Sequence, residues 1–537
     1  MKTSALLTRI RGTRTTSDLV TRANLCLLRM PSSLRAQLPS LLIFLGVFLV
    51  YLFTMAPTMH ARDSAEFSAV IYKLGVPHAT GYPLYILLGK LFTLLPVGDI
   101  AYRVNLMSGV FAAGTIVIVY QLGFLASGRK TSAMAAAGIL AFSYYFWVSA
   151  VVAEVYALHA FLTAATIYLL LRWYRGDSNM LLYVAGFAWG LSFGNHMSTL
   201  LFAPAFAFLV VLGFWKGRIQ PSQVAVLVGC ILIPLVTYSY FPLRYMAGDV
   251  WPYIVGEYNS EGKFAPTDFT TLSGMWQLLT AQQFHGFLFA NHGMDFLQDL
   301  GLSGWWLFSN FLGVGFVLGI VGVLCNFKVE RPRLIFFGLI LGVNALFFAS
   351  YGAIDKEFML PVLHLLWSIW IAEGLANIAE GFRNSYPRLG NLAAFASNGT
   401  TRPILNLESL FLVLPFIVLL VNVSYTDVSS DTSVKERYVE VLAGMEPDAL
   451  VLGWWGEARA FDYLQQVEGM RPDVQVVDRF LITPTNEIQL IESSLATRPV
   501  YVFGHIPELG VSYDAFPTFS IELIGHLLVQ RTASNSR

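Results

Sequence analysis

The sequence predicts a mainly α-helical, polytopic membrane protein that carries a small α/β domain at its C-terminal end. Three observations carry that class. Hydrophobic residues make up 55% of the 537 positions and charged residues only 13%, against roughly 25% charged in soluble domains. Apolar runs approaching the ~20 residues needed to cross a bilayer recur up to residue 421. From Asn422 onward the chain turns soluble-like, and short β-type runs alternate with helical patterns.

The N-terminal arm, residues 1–38, holds Arg9, Arg11, Arg14, Arg22, Arg29 and Arg35 against the acid Asp18, so the positive-inside rule places it in the cytoplasm. Its length before the first apolar run, and the lack of a clear cleavage site, argue against a simple signal peptide. Residues 39–421 form the predicted membrane domain. Its apolar runs cover 41–55, 104–126, 133–152, 155–171, 181–193, 200–215, 224–241, 302–325, 334–350, 358–377 and 404–421, about eleven spans. An odd number puts the termini on opposite sides.

Charge alternation supports this order. One set of connections holds Arg129-Lys130, Arg172 with Arg175, Lys216 with Arg218, Lys328 with Arg331 and Arg333, and Arg383 with Arg388 and Arg402. The opposite set collects the acids Asp63, Glu66, Glu154, Asp249, Glu257, Glu261, Asp268, Asp295, Asp355 and Glu357. The first outer loop, 57–103, departs from the rule with Arg62, Lys73, Lys90 and Arg103. It is long and is predicted to contain interfacial helices at 67–73 and 84–94, so its charges need not vote as a short loop's would. The tail, 422–537, is predicted as an extracytoplasmic α/β domain with strands at 449–452, 474–477 and 500–503 and helices at 433–442 and 458–467. About 115 residues bury a modest core without disulfides.

Several function classes fall away. Lys+Arg and Asp+Glu are both 34, so no basic field recruits nucleic acid. Cys26, Cys230 and Cys325 have neither CxxC nor zinc-like spacing. No Walker loop or GxGxxG is present, so an ATP-driven pump has no support. Asn398-Gly399-Thr400 falls on the predicted cytoplasmic side.

The polar groups that remain gather at one face. Asp63-Ser64-Ala65-Glu66 follows the first apolar run, and at i and i+3 of a short helix both acids face the same way, able to share a hydroxyl, a metal or a cationic substrate. The alternative is that they cap a juxtamembrane helix. On the same side lie Glu154 with Tyr156 and His159, Asn195-His196, Arg244, Gln282-Gln283-Phe284-His285-Gly286-Phe287, and Asp355 with Glu357. Each has a bland reading: Glu154 a helix cap, His159 and His196 core-satisfied, Arg244 snorkelling to headgroups. Their shared sidedness predicts one outward-facing cavity, with His364 and Glu373 as intramembrane exceptions. In the tail, Gly453-Trp454-Trp455-Gly456 follows a strand end, where α/β sheets tend to bind ligands; a glycine turn flanked by packed tryptophans is the other reading.

Motifs in order along the chain then point to a family. Asp63-Ser64-Ala65-Glu66-Phe67, Leu74-Gly75, His78-x-x-Gly81-Tyr82-Pro83-Leu84-Tyr85, Tyr102-Arg103-Val104-Asn105-Leu106, Ala153-Glu154-Val155-Tyr156-Ala157-Leu158-His159 and Gly194-Asn195-His196 resemble the DUF2723 family of membrane proteins, the TMEM260-like protein O-mannosyltransferases of the GT-C glycosyltransferase superfamily. The resemblance continues through Gln283-Phe284-x-Gly286-Phe287 and Asp355-x-Glu357-Phe358-x-Leu360-Pro361 and covers most of the chain after residue 40. Two positions depart: Ala65 stands where the family commonly has Gly, and Ala79-Thr80 where it has Pro-Pro.

The resemblance implies a GT-C-type bundle and transfer of a sugar, mannose among the options, from a polyprenyl- or dolichyl-phosphate carrier to an acceptor hydroxyl on the extracytoplasmic face, on protein Ser/Thr or a glycan, with inversion. Within it, Asp63 is the expected general base, and Glu66 its helper or a co-ligand of a divalent cation. Arg244, with His196 second, is expected to hold the donor phosphate. His78, Tyr82, Glu154, Tyr156, His159, Asn195, Gln283, Asp355 and Glu357 are expected to line the sugar and acceptor pocket. The expected setting is a bacterial cytoplasmic membrane, or the endoplasmic reticulum with a lumenal active face. A secondary transporter is the alternative function, and it predicts ionisable groups at the bilayer midplane on broken, repeated helices. A third reading makes the tail a receptor-like partner-binding module.

Overall fold

The computed structural model describes residues 31–248, 254–326, 330–353, 355–385 and 407–503. Most of the basic arm, Cys26, Asp249, Lys328, Arg388, Arg402, the 398–400 sequon and tail residues 504–537 lie outside the described residues. Every predicted apolar run coincides with a helix or a bent helix pair. Among the described residues, seven helices are long and apolar enough to cross a membrane, up to nine if each bent pair is one span, and Pro83–Thr93 and Met180–Phe193 are shorter apolar helices. Tyr156–Tyr174, which carries His159 and Arg172, is the remaining one. The protein is a multi-pass integral membrane protein.

The spans differ in what surrounds them. In Gln37–Thr54 only 17% of the apolar window is buried inside the protein, whereas in the central helix, Pro361–Ser385, the share is 89%. A lipid-facing helix and a bundle-facing helix have the same composition, so sequence hydropathy does not separate them. The central helix lies backbone to backbone on Val314–Asn326: a side chain at Gly374 would start 2.1 Å from the Leu318 carbonyl, and one at Gly322 2.0 Å from that of Trp370. Its Glu373 pairs with buried Arg333. His364 stacks flat on Tyr145, with ring centroids 5.7 Å apart.

Two predicted spans are bent. Lys130–Ala141 and Tyr144–Val151 meet at 65°, where the Phe142 carbonyl, released from the helix ladder, accepts from Asn422 Nδ2 at 2.8 Å. Gly293–Asn310 and the helix from Val314 meet at 107°, through Leu312 and Gly313, both left-handed at φ 52° and 68°.

The first outer loop is built from two short helices, Ser64–Lys73 and Pro83–Thr93. Its anomalous cations are held by local partners. Arg103 donates to the carbonyls of Val97, Thr93 and Gly98, Lys90 to that of Tyr72, and Arg62 stacks 3.4 Å above the Phe358 ring. They cap chain ends rather than voting on topology.

In the tail, β3 (Leu450–Gly453), β4 (Gln475–Asp478) and β5 (Val500–Val502) form a parallel sheet in the order β4-β3-β5. Helix Trp455–Gln466 leaves the end of β3 directly. A hairpin of β1 (Gly256–Tyr258) and β2 (Phe264–Pro266) ties this sheet to the first loop: Ile254 N–H donates to the Val76 carbonyl, while Gln475 Nε2 reaches the Gly262 carbonyl at 2.7 Å. Met59, Ala65, Ala69 and Ala101 share one apolar core with Leu442, Ala458, Phe461 and Leu464. The sheet therefore sits on the first outer loop.

Candidate active site

Asp63 occupies the position before helix Ser64–Lys73, yet its side chain makes no capping bond. The capping alternative for this acid fails. Three residues on, Glu66 is fully buried, its side chain 0% exposed against 30% for Asp63. The first acid faces solvent and the second faces the protein.

What Glu66 does is set by the turn that follows. Gly81 adopts φ 93°, and a side chain there would start 2.4 Å from the Phe241 ring, so only glycine closes this loop. The closure brings His78 onto Glu66: the backbone N–H of His78 donates to Glu66 Oε1 at 2.9 Å and Nδ1 to the same oxygen at 2.7 Å. On the far side of the ring, Nε2 lies 2.8 Å from the Tyr82 hydroxyl and 4.0 Å from Asp63 Oδ2. Burial works against a charge on His78, but the Glu66 carboxylate and then Asp63 outweigh it and raise the imidazole above its usual 6.5. The imidazole thus stands between the two acids, which favour its protonated form.

A second acidic group faces Asp63 from the other side. Burial pushes the Glu154 carboxyl well above its usual value, Asp63 and Asp355 add to this, and Arg62 opposes it. Burial also raises Asp355, with Arg62 again opposing. These surroundings disfavour a charge on Glu154. Arg62 is the cation among these acids. The sequence reading had counted it only as a loop charge, although it directly precedes Asp63.

Tyr156, His159, Asn195 and His196 form an adjoining wall. The His196 ring lies 5.4 Å from that of His159, 5.8 Å from Tyr156 and 6.0 Å from Tyr82, and Ser198 Oγ bridges the two imidazoles. Asn195 Nδ2 holds the Val155 carbonyl at 3.1 Å. Burial, with His159 and His78 nearby, drops His196 to about 3. That direction favours the uncharged imidazole, which can meet a phosphate as a hydrogen-bond donor and not as a cation. Gln283 lies on the short turn Gln282–Phe287, and the next ring, Phe284, meets His78 at 5.8 Å. Glu357 adjoins Phe358, the ring beneath Arg62.

Arg244 stands apart from this group. Its Nη2 donates to the Lys73 carbonyl at 3.3 Å, at the opposite end of the helix that begins at Ser64, ~14 Å along the axis from Asp63 at 1.5 Å per residue. The site includes tail residues that motif reading did not place there. Trp455 Nε1 donates to Asp63 Oδ1 at 2.9 Å, and its ring meets His78 at 5.3 Å. Behind it, buried Arg459 is clamped by Asp462 and Asp478, each at 2.9 Å. The Trp454-Trp455 pair at a strand end was the available signal.

One ligand atom each from Asp63, Glu66 and His78 lie within 4.8 Å of one another, a set that can hold a cation. Glu66 Oε2 is buried and has no hydrogen-bond partner among the described residues, which suits a ligand. Both His78 nitrogens are engaged by Glu66 and Tyr82, so the imidazole joins such a set only after losing its proton and one partner.

Residues 63–218 match the family model described as the Protein O-mannosyl-transferase TMEM260 N-terminal domain. Among curated proteins, the chain is 26% identical over 470 residues to Protein O-mannosyl-transferase TMEM260 of Mus musculus, covering 83% of this chain and 63% of that protein. It is 22% identical over 482 residues to its Dictyostelium discoideum counterpart, covering 81% and 56%. The chain therefore spans about three fifths of the length of these relatives. In fold it is similar to ArnT from Cupriavidus metallidurans bound to undecaprenyl phosphate, with TM-score 0.52 and 12% identity over 87% of this chain and 96% of that one. It is likewise similar to the apo oligosaccharyltransferase of Archaeoglobus fulgidus, with TM-score 0.51 and 12% identity over 86% and 69%. Over residues 63–218 the chain thus resembles the TMEM260 N-terminal domain, its curated relatives are named as O-mannosyl-transferases, and its fold is that of the two membrane glycosyltransferase structures.

Proposed function

We propose that the protein is a membrane glycosyltransferase that moves a hexose from a polyprenyl-phosphate carrier to an acceptor hydroxyl by a single inverting displacement at Asp63. The observation that carries this reading is the division of labour between the two acids: Asp63 is partly open, while Glu66 is buried and spent on His78. As the hydroxyl oxygen bonds to the anomeric carbon, Asp63 Oδ2 takes its proton, and the carrier phosphate leaves with the electron pair of the broken C–O bond. Glu66 holds His78 in place, and the imidazole ring stands 4.0 Å from Asp63 Oδ2.

The departing phosphate needs a cation. Arg62, among the acids, suits this by position better than Arg244, and its planar fork matches phosphate oxygens. The rings of His196, Tyr156 and Tyr82 supply a wall for the sugar. A curated relative named for O-mannosyl transfer to protein and a fold neighbour bound to undecaprenyl phosphate support the donor and acceptor classes. On this reading the acids and the tail lie on the extracytoplasmic face, with the basic connections in the cytoplasm.

The test offers radiolabelled polyprenyl-phosphate sugars and Ser/Thr peptides to the purified protein. Wild type is expected to label an acceptor with one sugar. Asp63→Asn should lose about 10²–10⁴-fold in rate while melting as wild type does. Near-normal turnover in that variant removes Asp63 as the base.

A further inference from the structure

We propose that Trp455 is a positioning residue for Asp63, so that the tail completes the active site instead of merely decorating it. This rests on the reading of Asp63 as the base. Asp63 lies at φ −82°, ψ 2°, just outside its helix, with no capping bond and a partly exposed side chain. Its own segment leaves the carboxylate free to rotate. A side-chain hydrogen bond to that carboxylate comes from across 392 positions of sequence, from Trp455 Nε1 to Oδ1 at 2.9 Å.

The indole is itself fixed on every side. It meets His78 edge to face at 5.3 Å and Phe480 at 5.6 Å, and the Arg459 guanidinium lies 5.5 Å from its ring. Arg459 is locked by Asp462 and Asp478. Trp455 is the first residue of the helix that leaves β3, so the parallel sheet sets its location. Donation to Oδ1 selects Oδ2, the oxygen that faces His78 at 4.0 Å, as the proton acceptor. Loss of the N–H therefore has one direct consequence: Asp63 loses the contact that orients its carboxylate.

Trp455→Phe keeps the ring and removes only the donor. In the peptide-labelling assay its kcat should fall about tenfold, the order set by one lost hydrogen bond to a charged group, with KM for the lipid donor unchanged. Trp454→Phe, at the exposed neighbour, should leave both as in wild type. An independent readout needs no turnover. In protein carrying 5-fluorotryptophan, the 19F resonance missing from Trp455→Phe should shift when Asp63 is replaced by Ala. A Trp455→Phe variant with full kcat overturns the proposal, as does a 19F resonance indifferent to Asp63→Ala. If wild type transfers no sugar, the transferase reading fails and the resonance alone decides the contact.

Discussion

Two acids three positions apart behave as different chemical species here, and the cause is burial. Glu66 is closed off and bonded to His78, while Asp63 stays open. The raised His78 pKa makes a stability prediction whose sign follows from linkage. Because the folded-state value lies above the ordinary 6.5, the contribution of this pair is fully present below about 6.5 and is lost as pH rises through the raised value. The melting-temperature gap between wild type and His78→Asn should thus be widest in mild acid and narrow with increasing pH. The choice of phosphate cation is also decided at single residues. Arg62→Ala should raise KM for the lipid donor about tenfold, the order expected for a charge-assisted contact, and Arg244→Ala should change it far less. Steady-state kinetics on both variants separates them. The pairing of Asp63 with Glu66 was legible because i,i+3 spacing is local. The proposed preference for Arg62 over Arg244 and His196 was not legible in the sequence, because charge on an isolated residue says nothing of its distance along a helix or of its desolvation.

At the level of elements, what could be read was periodicity and what could not was direction. The strand runs at 449–452, 474–477 and 500–503 fall within one or two residues of β3, β4 and β5, since short β-rich runs between helices carry a local signal. The hairpin of β1 and β2 has strands of three residues each, too short for alternation to register. The bends of 65° and 107° escaped because hydropathy continues across them, and the Asn422 contact that stabilises the first is distant in sequence. The helix pair at Gly322 and Gly374 carries its own prediction. Gly374→Leu forces a side chain onto the Leu318 carbonyl, and overpacking of this kind costs about 1–3 kcal/mol. Thermal unfolding in detergent should show a clear drop, whereas Gly338→Leu, with open space around its Cβ position, should melt as wild type does.

For the molecule as a whole, the polytopic class was plain from composition, but the seating of the tail on the first outer loop was not. That contact depends on alanines, Ala65, Ala69 and Ala458, which carry no pattern of their own. The proposed topology predicts which surfaces share a compartment. In a chain freed of its native cysteines, single cysteines at Leu272, 92% exposed, and at Trp454, 46% exposed, should react with an impermeant maleimide from the extracytoplasmic side. One at Gly176, beyond the far end of Tyr156–Tyr174, should react from the other side. Labelling of Trp454 and Gly176 from the same side would rule out the arrangement.

The apolar core shared between the first loop and the tail also has a consequence in time. Met59, Ala65 and Ala69 leave the ribosome more than three hundred residues before Leu442 and Phe461, an interval of ~20–70 s at ordinary rates of synthesis. Through that interval the loop helix has a bare apolar flank at the membrane surface. A nascent chain therefore makes its acids early and shelters them late, which exposes that flank to chaperones, proteases or a neighbouring bilayer until Leu442 and Phe461 have emerged.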